Sequence, residues 1–387
     1  MQAPRSLRGL VLVLAVVSAT ACGMRAQTAS PPLVATPVRV AASAPAPAPE
    51  PVAAAIPTST TQAYTPTPLS PPVTLKVATV NATSDAAIFI ALDKGYFRDE
   101  GITVELQDLP TAAAMIGPLG TGQLDIATGA VAAATFNAAA REVPLRIVAD
   151  KGSTPSTEWD FNTLMVRRDL IELGQVKDFS DLRGLTISTN ASGNATEIQL
   201  AKALEKGGLT LDDVHYTPLG FTDMIPAFAN RAIDAAMVAE PYIARIETQG
   251  TAVRWRGNSD VYGNQQVGVV MYGPGLVTER QEAGRRWMTA YVRGLRDYND
   301  AFGPKRQGRD EVVQILINHT PIKDPKDYDQ MRPAGLDPDG KLEVRSIRDD
   351  LAYYQRTGLV KDPIDLAKVI DTSFQEFAVL QLGPYER

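Results

Sequence analysis

The stretch VTLKVATVNATSDAAIFIALDKGYFRDEGITVELQDL, residues 73–109, decides how the rest of the chain reads. Its β-branched opening, residues 74–80, gives way to Asn81-Ala82-Thr83-Ser84-Asp85, and then to Ile88, Ala91, Leu92 and Gly95 at helical spacing. That order is strand, capping turn, helix. Thr83 or Ser84 can accept a backbone N–H at the helix start, and the remaining free N–H groups point outward from the strand's carboxyl end. Open α/β sheets take polar ligand atoms at such corners.

The corner occurs twice. An offset of 109 residues lays Asn81-Ala82-Thr83 on Asn190-Ala191-Ser192 and Asp85 on Asn194. The same offset lays Met115-Ile116 on Met224-Ile225, Leu119 on Phe228, Asp125 on Asp234 and Ala127 on Ala236. A single Asn-Ala-Ser/Thr match would carry nothing, since any two βαβ units share turn chemistry. A constant offset over so long a stretch indicates two copies of one α/β design.

The chain has 387 residues, 44% of them hydrophobic, enough for two packed domains plus extra segments. Its net charge of -6, with no cluster of Lys and Arg, argues against nucleic acid as a partner. The only cysteine is Cys22, so an internal disulfide and a Cys-rich metal site are both excluded. Arg5 and Arg8 precede an apolar run over residues 9–19, and Ala19-Thr20-Ala21 stands directly before Cys22. This is the layout of a secretory signal, too short for a comfortable membrane span. It resembles a bacterial lipoprotein signal, which implies a lipid-anchored Cys22 as the first mature residue. Residues 23–72, rich in Ala, Pro and Thr and almost uncharged, read as a disordered tether.

Beyond residue 73, strand and helix alternate, which predicts a mostly parallel sheet covered on both faces. Strands are expected at 102–106, 125–128 and 143–149, with a polar turn over Asp150-Lys151-Gly152-Ser153-Thr154-Pro155. Residues 163–166 read as a strand leaving the first domain, and residues 262–272 as a strand returning to it. Two crossings make a hinge. The expected division is one lobe from residues 73–172 and 262–387, with C-terminal helices on its outside, and a second lobe from 173–261.

Catalytic signals are weak. His215 and His319 are far apart and lack ligand-spaced partners, and neither a Gly-x-Ser-x-Gly elbow nor a phosphate-cradling Gly-x-x-x-x-Gly-Lys-Ser/Thr loop occurs. No metal or cofactor is indicated. Polar and small residues instead collect where strands end: Asn81, Thr83, Ser84, Asp85, Thr111, Gly129 and Ala130 in the first unit, Asn190, Ser192, Gly193, Asn194, Glu240 and Tyr242 in the second. Helix capping alone accounts equally well for Thr83, Ser84 and Ser192, and a solvated salt bridge for Asp85 and Glu240. Trp159 and Tyr272 are candidates to stack on a planar ligand, or else rim and core aromatics.

Four segments together carry a family resemblance: Ala-Leu-Asp-Lys-Gly-Tyr-Phe-Arg-Asp-Glu-Gly-Ile (91–102), Gly-Thr-Gly-Gln-Leu-Asp-Ile-Ala (120–127), Asp-Leu-Arg-Gly-Leu-Thr-Ile-Ser (181–188) and Ala-Glu-Pro-Tyr (239–242). They resemble the sulfonate/nitrate/taurine and NMT1/THI5-like solute-binding proteins of ABC importers. The resemblance spans about residues 73–291, and the helical tail shares no motif with it. It implies the type II periplasmic-binding fold, two α/β lobes closing on a small-molecule solute, a permease as partner, a monomer, and a place outside the cytoplasm. Residues 84–92 and 148–153 are similar to members that handle vitamin-like ligands. Asp85 and Glu240 at the corners, without an obvious Arg, disfavour an anion and point to a neutral planar heterocycle such as riboflavin or a thiamine-pyrimidine precursor. A sulfonate, taurine or nitrate ligand is the alternative within the fold, and a small-metabolite enzyme the alternative outside it.

Overall fold

The computed structural model describes residues 64–386; the expected signal peptide with Cys22, and the tether as far as residue 63, lie outside the described residues. Residues 64–72 do not behave as a free tether. Tyr64 donates its hydroxyl to Glu100 Oε1 at 2.6 Å, and Leu69 pairs its N–H with the Glu100 carbonyl and packs on the core. A phenol and an apolar side chain that both find partners hold this segment to the body.

The strands are β1 (Val73–Thr79), β2 (Ile102–Asp108), β3 (Ile126–Ala130), β4 (Arg146–Ser153), β5 (Asn162–Arg167), β6 (Thr186–Ser188), β7 (His215–Tyr216), β8 (Ala235–Ala239), β9 (Ala252–Gly257) and β10 (Gln266–Tyr272). They form two sheets of matching order, β2-β1-β3-β10-β4 and β7-β6-β8-β5-β9. In each, the first three strands are parallel, and the fourth runs antiparallel between its neighbours. That antiparallel strand is the one the chain brings in by crossing from the other sheet. This is the type II periplasmic-binding fold.

The duplication holds at the level of elements. Helices Ala86–Asp93, Ala112–Gly120 and Ala133–Ala140 and strand β3 each begin 109 residues before Ala195–Lys206, Phe221–Ala229, Tyr242–Thr248 and β8. Two expected boundaries change. β5 pairs with β8 and β9, because Leu164 and Val166 bury against Ile187, Leu200 and Met237. The first crossing therefore falls at residues 154–161, ahead of the expected 172. β4 also runs on through the expected polar turn to Ser153, because the fold supplies buried partners for Asp150 and Lys151.

Helix Gln281–Phe302 packs on Ala86–Asp93, and Gly294 permits it: a Cβ there would stand 2.2 Å from the Ala87 carbonyl oxygen. Helices Arg309–His319 and Ser373–Leu382 also pack on the Gln281–Phe302 helix. Helix Val344–Arg356 does more than line the first lobe, since it touches both Ala133–Ala140 and Ala195–Lys206. No helix among the described residues is long and apolar enough to cross a membrane.

Candidate functional site

Each lobe offers the start of a helix at the carboxyl end of its second strand in sheet order, and the two corners face one cavity of about 60 Å³. From the first lobe come Val80, Ala82, Ser84, Thr111, Ala112, Ala130, Lys151, Val267 and Gly268. The second supplies Asn162, Asn190, Asn194, Thr196, Phe221 and Ala239, and Phe161 in the crossing completes the wall. Thr111 and Asn194 cap their helices, accepting from Ala114 N at 3.3 Å and from Thr196 N at 3.1 Å. Asn190 Oδ1 in turn accepts from the Thr196 hydroxyl at 2.8 Å.

The lobes also meet directly at two points. Ala133 N donates to the Gly193 carbonyl at 2.9 Å, and Thr83 Oγ1 donates to the Glu240 carbonyl at 3.3 Å. Gly193 adopts φ +68, which glycine permits without cost.

Charge is arranged differently from the sequence expectation. Asp85 is fully buried below the cavity wall, where Oδ1 meets Lys151 Nζ at 3.1 Å and the Thr128 hydroxyl at 2.8 Å. Its Oδ2 accepts the Ala82 N–H at 3.0 Å. Lys151 also donates to Ser84 Oγ at 2.9 Å. A buried carboxylate is tolerable only with such a set of partners, and here both charges have theirs. Glu240 is likewise buried, paired with Arg254 at 2.6 Å and with the Ala244 and Arg332 N–H groups. Burial pushes its carboxyl up and the Arg254 charge opposes that shift. Neither acid lines the cavity. Lys151 is the one charged side chain that does.

Of the other expected site residues, Gly129 lies inside β3 and lets the Ala112 helix pack against the sheet, since a Cβ there would stand 2.7 Å from the Ala112 Cβ. Asn81 turns to Asp108 at 3.4 Å, next to the cavity but outside its lining. Ser192 is exposed and donates to Glu197 at 2.7 Å. Tyr242 stacks behind Phe221, ring centres 5.3 Å apart, and so backs the wall.

Two aromatic candidates are corrected. Trp159 sits against Tyr298 and lines a separate cavity of about 420 Å³ with Asn299 and Tyr385. Tyr272 is core: it is fully buried, donates to the Gly284 carbonyl at 2.7 Å, and packs edge-on to Trp287 and Phe374. An isolated aromatic in sequence carries no sign of which packing it will meet. Lys151, Phe161, Asn162, Thr196 and Phe221 were missed. The available signal was a charged pair, Asp150-Lys151, directly after the apolar residues 147–149.

Comparison with known proteins places this geometry. By fold the molecule is a pair of α/β lobes joined by two crossings. The chain belongs to the NMT1/THI5-like family, whose family model matches residues 82–298. Curated binding proteins of Brucella abortus are 26% identical over 214 residues, which is 55% of this chain and 62% of theirs, so the match spans less than two thirds of those relatives. The periplasmic nitrate-binding protein NrtA of Synechocystis superposes with TM-score 0.67 at 14% identity, over 81% of this chain and 89% of that one. The alkanesulfonate-binding protein SsuA of Xanthomonas axonopodis, bound to MOPS, gives 0.62 at 16%, over 78% and 98%. The desulfurization enzyme DszB gives 0.57 at 15%, over 80% and 99%, so the fold is shared with an enzyme.

Proposed function

We propose that the protein is an extracytoplasmic solute-binding protein of an ABC importer that closes its lobes on a small organic solute and hands it to a permease. One observation carries the reading: two corners, contributed by separate sheets 109 residues apart in sequence, converge on a single cavity. The solute is small, with an anionic or strongly accepting head and a short apolar body. Lys151 and the starts of the Ala112 and Ala195 helices suit the head, and Phe161, Phe221, Val80 and Val267 suit the body. The preference for a neutral heterocycle drew on the likeness of residues 84–92 and 148–153 to vitamin-handling members and on Asp85 and Glu240 as acids facing the solute; neither acid lines the cavity, and each has a cationic partner. A volume of about 60 Å³ is also far below the roughly 300 Å³ at which sites for drug-sized ligands begin, so a flavin would hold the lobes apart.

A carrier fits better than an enzyme. His215 is exposed on β7, and His319 is tied to Asp93 at 2.7 Å and stacked on Phe89, both outside the cavity lining. Anchoring through Cys22 completes the reading, and Cys22→Ser should release the chain from the membrane fraction. Thermal unfolding with taurine, 1-propanesulfonate, nitrate and riboflavin tests the ligand class. A sulfonate is expected to raise Tm saturably and be recovered unchanged. Saturable riboflavin binding, or turnover of a bound solute, would overturn the reading.

A further inference from the structure

Behind the cavity wall a chain of side-chain amides runs through the hinge. Asn162, in β5, lines the cavity and donates its Nδ2 to Gln199 Oε1 at 3.1 Å. Gln199 Nε2 donates to Gln265 Oε1 at 2.8 Å, across from the second lobe to the return crossing. Gln265 Nε2 donates to Asp350 Oδ2 at 3.4 Å, on the helix that touches both lobes. All four residues are buried, Asn162 with 1% of its surface exposed. The Oδ1 of Asn162 has no hydrogen-bond partner among the described residues.

Such a chain has a direction. A carboxylate only accepts, so ionised Asp350 requires the NH2 of Gln265. Gln265 then offers its oxygen to Gln199, Gln199 offers its oxygen to Asn162, and the Asn162 oxygen is left without a partner on a residue that lines the cavity. A protonated Asp350 donates an O–H instead. Gln265 can then present its oxygen to Asp350 and its NH2 to Gln199, each amide turns over, and Asn162 presents NH2 to the cavity. Asn258, which donates to Gln265 Oε1 at 3.1 Å and to Thr154 Oγ1 at 3.0 Å, does not lock the direction, because a threonine hydroxyl serves equally as donor or acceptor.

We infer that Asn162 is a specificity-determining residue of the cleft, and that Asp350 is its positioning partner, setting through Gln265 and Gln199 whether Asn162 offers the bound solute an acceptor or a donor. This rests on the solute-binding reading above and adds to it a second recognition point. With Asp350 ionised, the preferred solute carries an N–H or O–H donor beside its accepting head. With Asp350 protonated, that preference is lost.

Both states lie near neutral pH. Burial pushes the Asp350 carboxyl up to about 7, against the hydrogen bond from Gln265, while its Oδ1 has no partner among the described residues. Lys202 on the Ala195 helix favours ionisation and Asp349 opposes it. Tyr262 and Tyr354 are titratable neighbours as well, and burial pushes both phenols upward, so they stay neutral here.

The test uses the full chain labelled with 15N at Asn and Gln side chains, with the Asn162 NH2 signals identified by their loss in Asn162→Ala. Those signals should shift with a midpoint near pH 7 in the wild type, and lose that titration in Asp350→Asn and also in Gln199→Met, which cuts the chain without touching Asp350. Signals flat with pH in the wild type, or titrating alike in either variant that folds, would overturn the inference. Binding gives a second readout with taurine and 1-propanesulfonate, which share a sulfonate and differ in a terminal ammonium against a methyl. The ratio of their affinities should favour taurine at least about tenfold more at pH 8 than at pH 5.5 in the wild type, and stay constant in Asp350→Asn. If neither sulfonate binds, the anionic-solute reading falls while the amide titration still decides this one.

Discussion

The two corners are built on one plan and charged differently. In the first lobe the turn after β1 holds Asp85, which accepts the Ala82 N–H and is neutralised by Lys151 from β4. At the equivalent place in the second lobe stands Asn194, which accepts the Thr196 and Glu197 N–H groups and needs no counter-charge. The repeated scaffold thus keeps the position and changes its charge and its role, since Asn194 caps the helix that follows and Asp85 accepts from the turn that precedes it. One wall of the cavity is ionic and dependent on a distant strand. In the other, Asn190, Asn194 and Thr196 satisfy one another locally.

The largest consequence concerns Lys151. Lys151→Met leaves Asp85 buried without its cation and is expected to cost about 3–5 kcal/mol in urea unfolding, most of it recovered in the Lys151→Met/Asp85→Asn double variant. An equal loss in the double variant would show that packing, and not charge, governs this corner. The pH dependence is next in size. Burial holds Asp150 and Asp350 up at about 7 in the fold, against about 3.9 for an unfolded-chain aspartate. Between those values the folded protein keeps protons that the unfolded chain has released. Stability should therefore fall as pH rises through that window, by up to about 1.4 kcal/mol per pH unit for each carboxyl, and Asp350→Asn should reduce the slope. Urea midpoints at pH 5 and pH 7 measure it.

In the amide corner, Asn194→Ala removes a helix cap and strands no buried charge, and should cost about 1 kcal/mol, well short of the Lys151 effect. The smallest effect is expected at Trp159: Trp159→Phe should leave solute affinity unchanged, because its ring belongs to the other cavity. A change in affinity there would join the two cavities functionally.

Much of the plan was legible in the sequence because it is local. Asn-Ala-Thr-Ser-Asp before a helical run names a strand end and a cap without reference to anything distant, and its repetition exposed the second lobe. The α/β alternation and the two crossings followed from the same periodicity. What stayed hidden depends on partners remote in the chain. Lys151 read as part of a polar turn because its burial is made possible by Asp85 and Ser84, on another strand's corner. Asn162 and Phe221 reach the cavity only once the sheets face each other. Trp159 and Tyr272 erred the other way, since a large ring fills a core or a cleft equally well. Asp85 and Glu240 sit near the corners as expected, and of the two readings the sequence left open for them, the salt-bridged one holds.

The most direct measurement is isothermal titration of one solute, the sulfonate that raises Tm most, into the wild type, Ser84→Ala and Asn190→Ala. Ser84 lines the cavity from the first sheet and Asn190 from the second. The account predicts that each substitution alone weakens that solute by about tenfold, as the loss of a hydrogen bond in a desolvated site does, while leaving the unfolding midpoint nearly unmoved. Affinity that depends on one lobe's residue and is indifferent to the other's would contradict it.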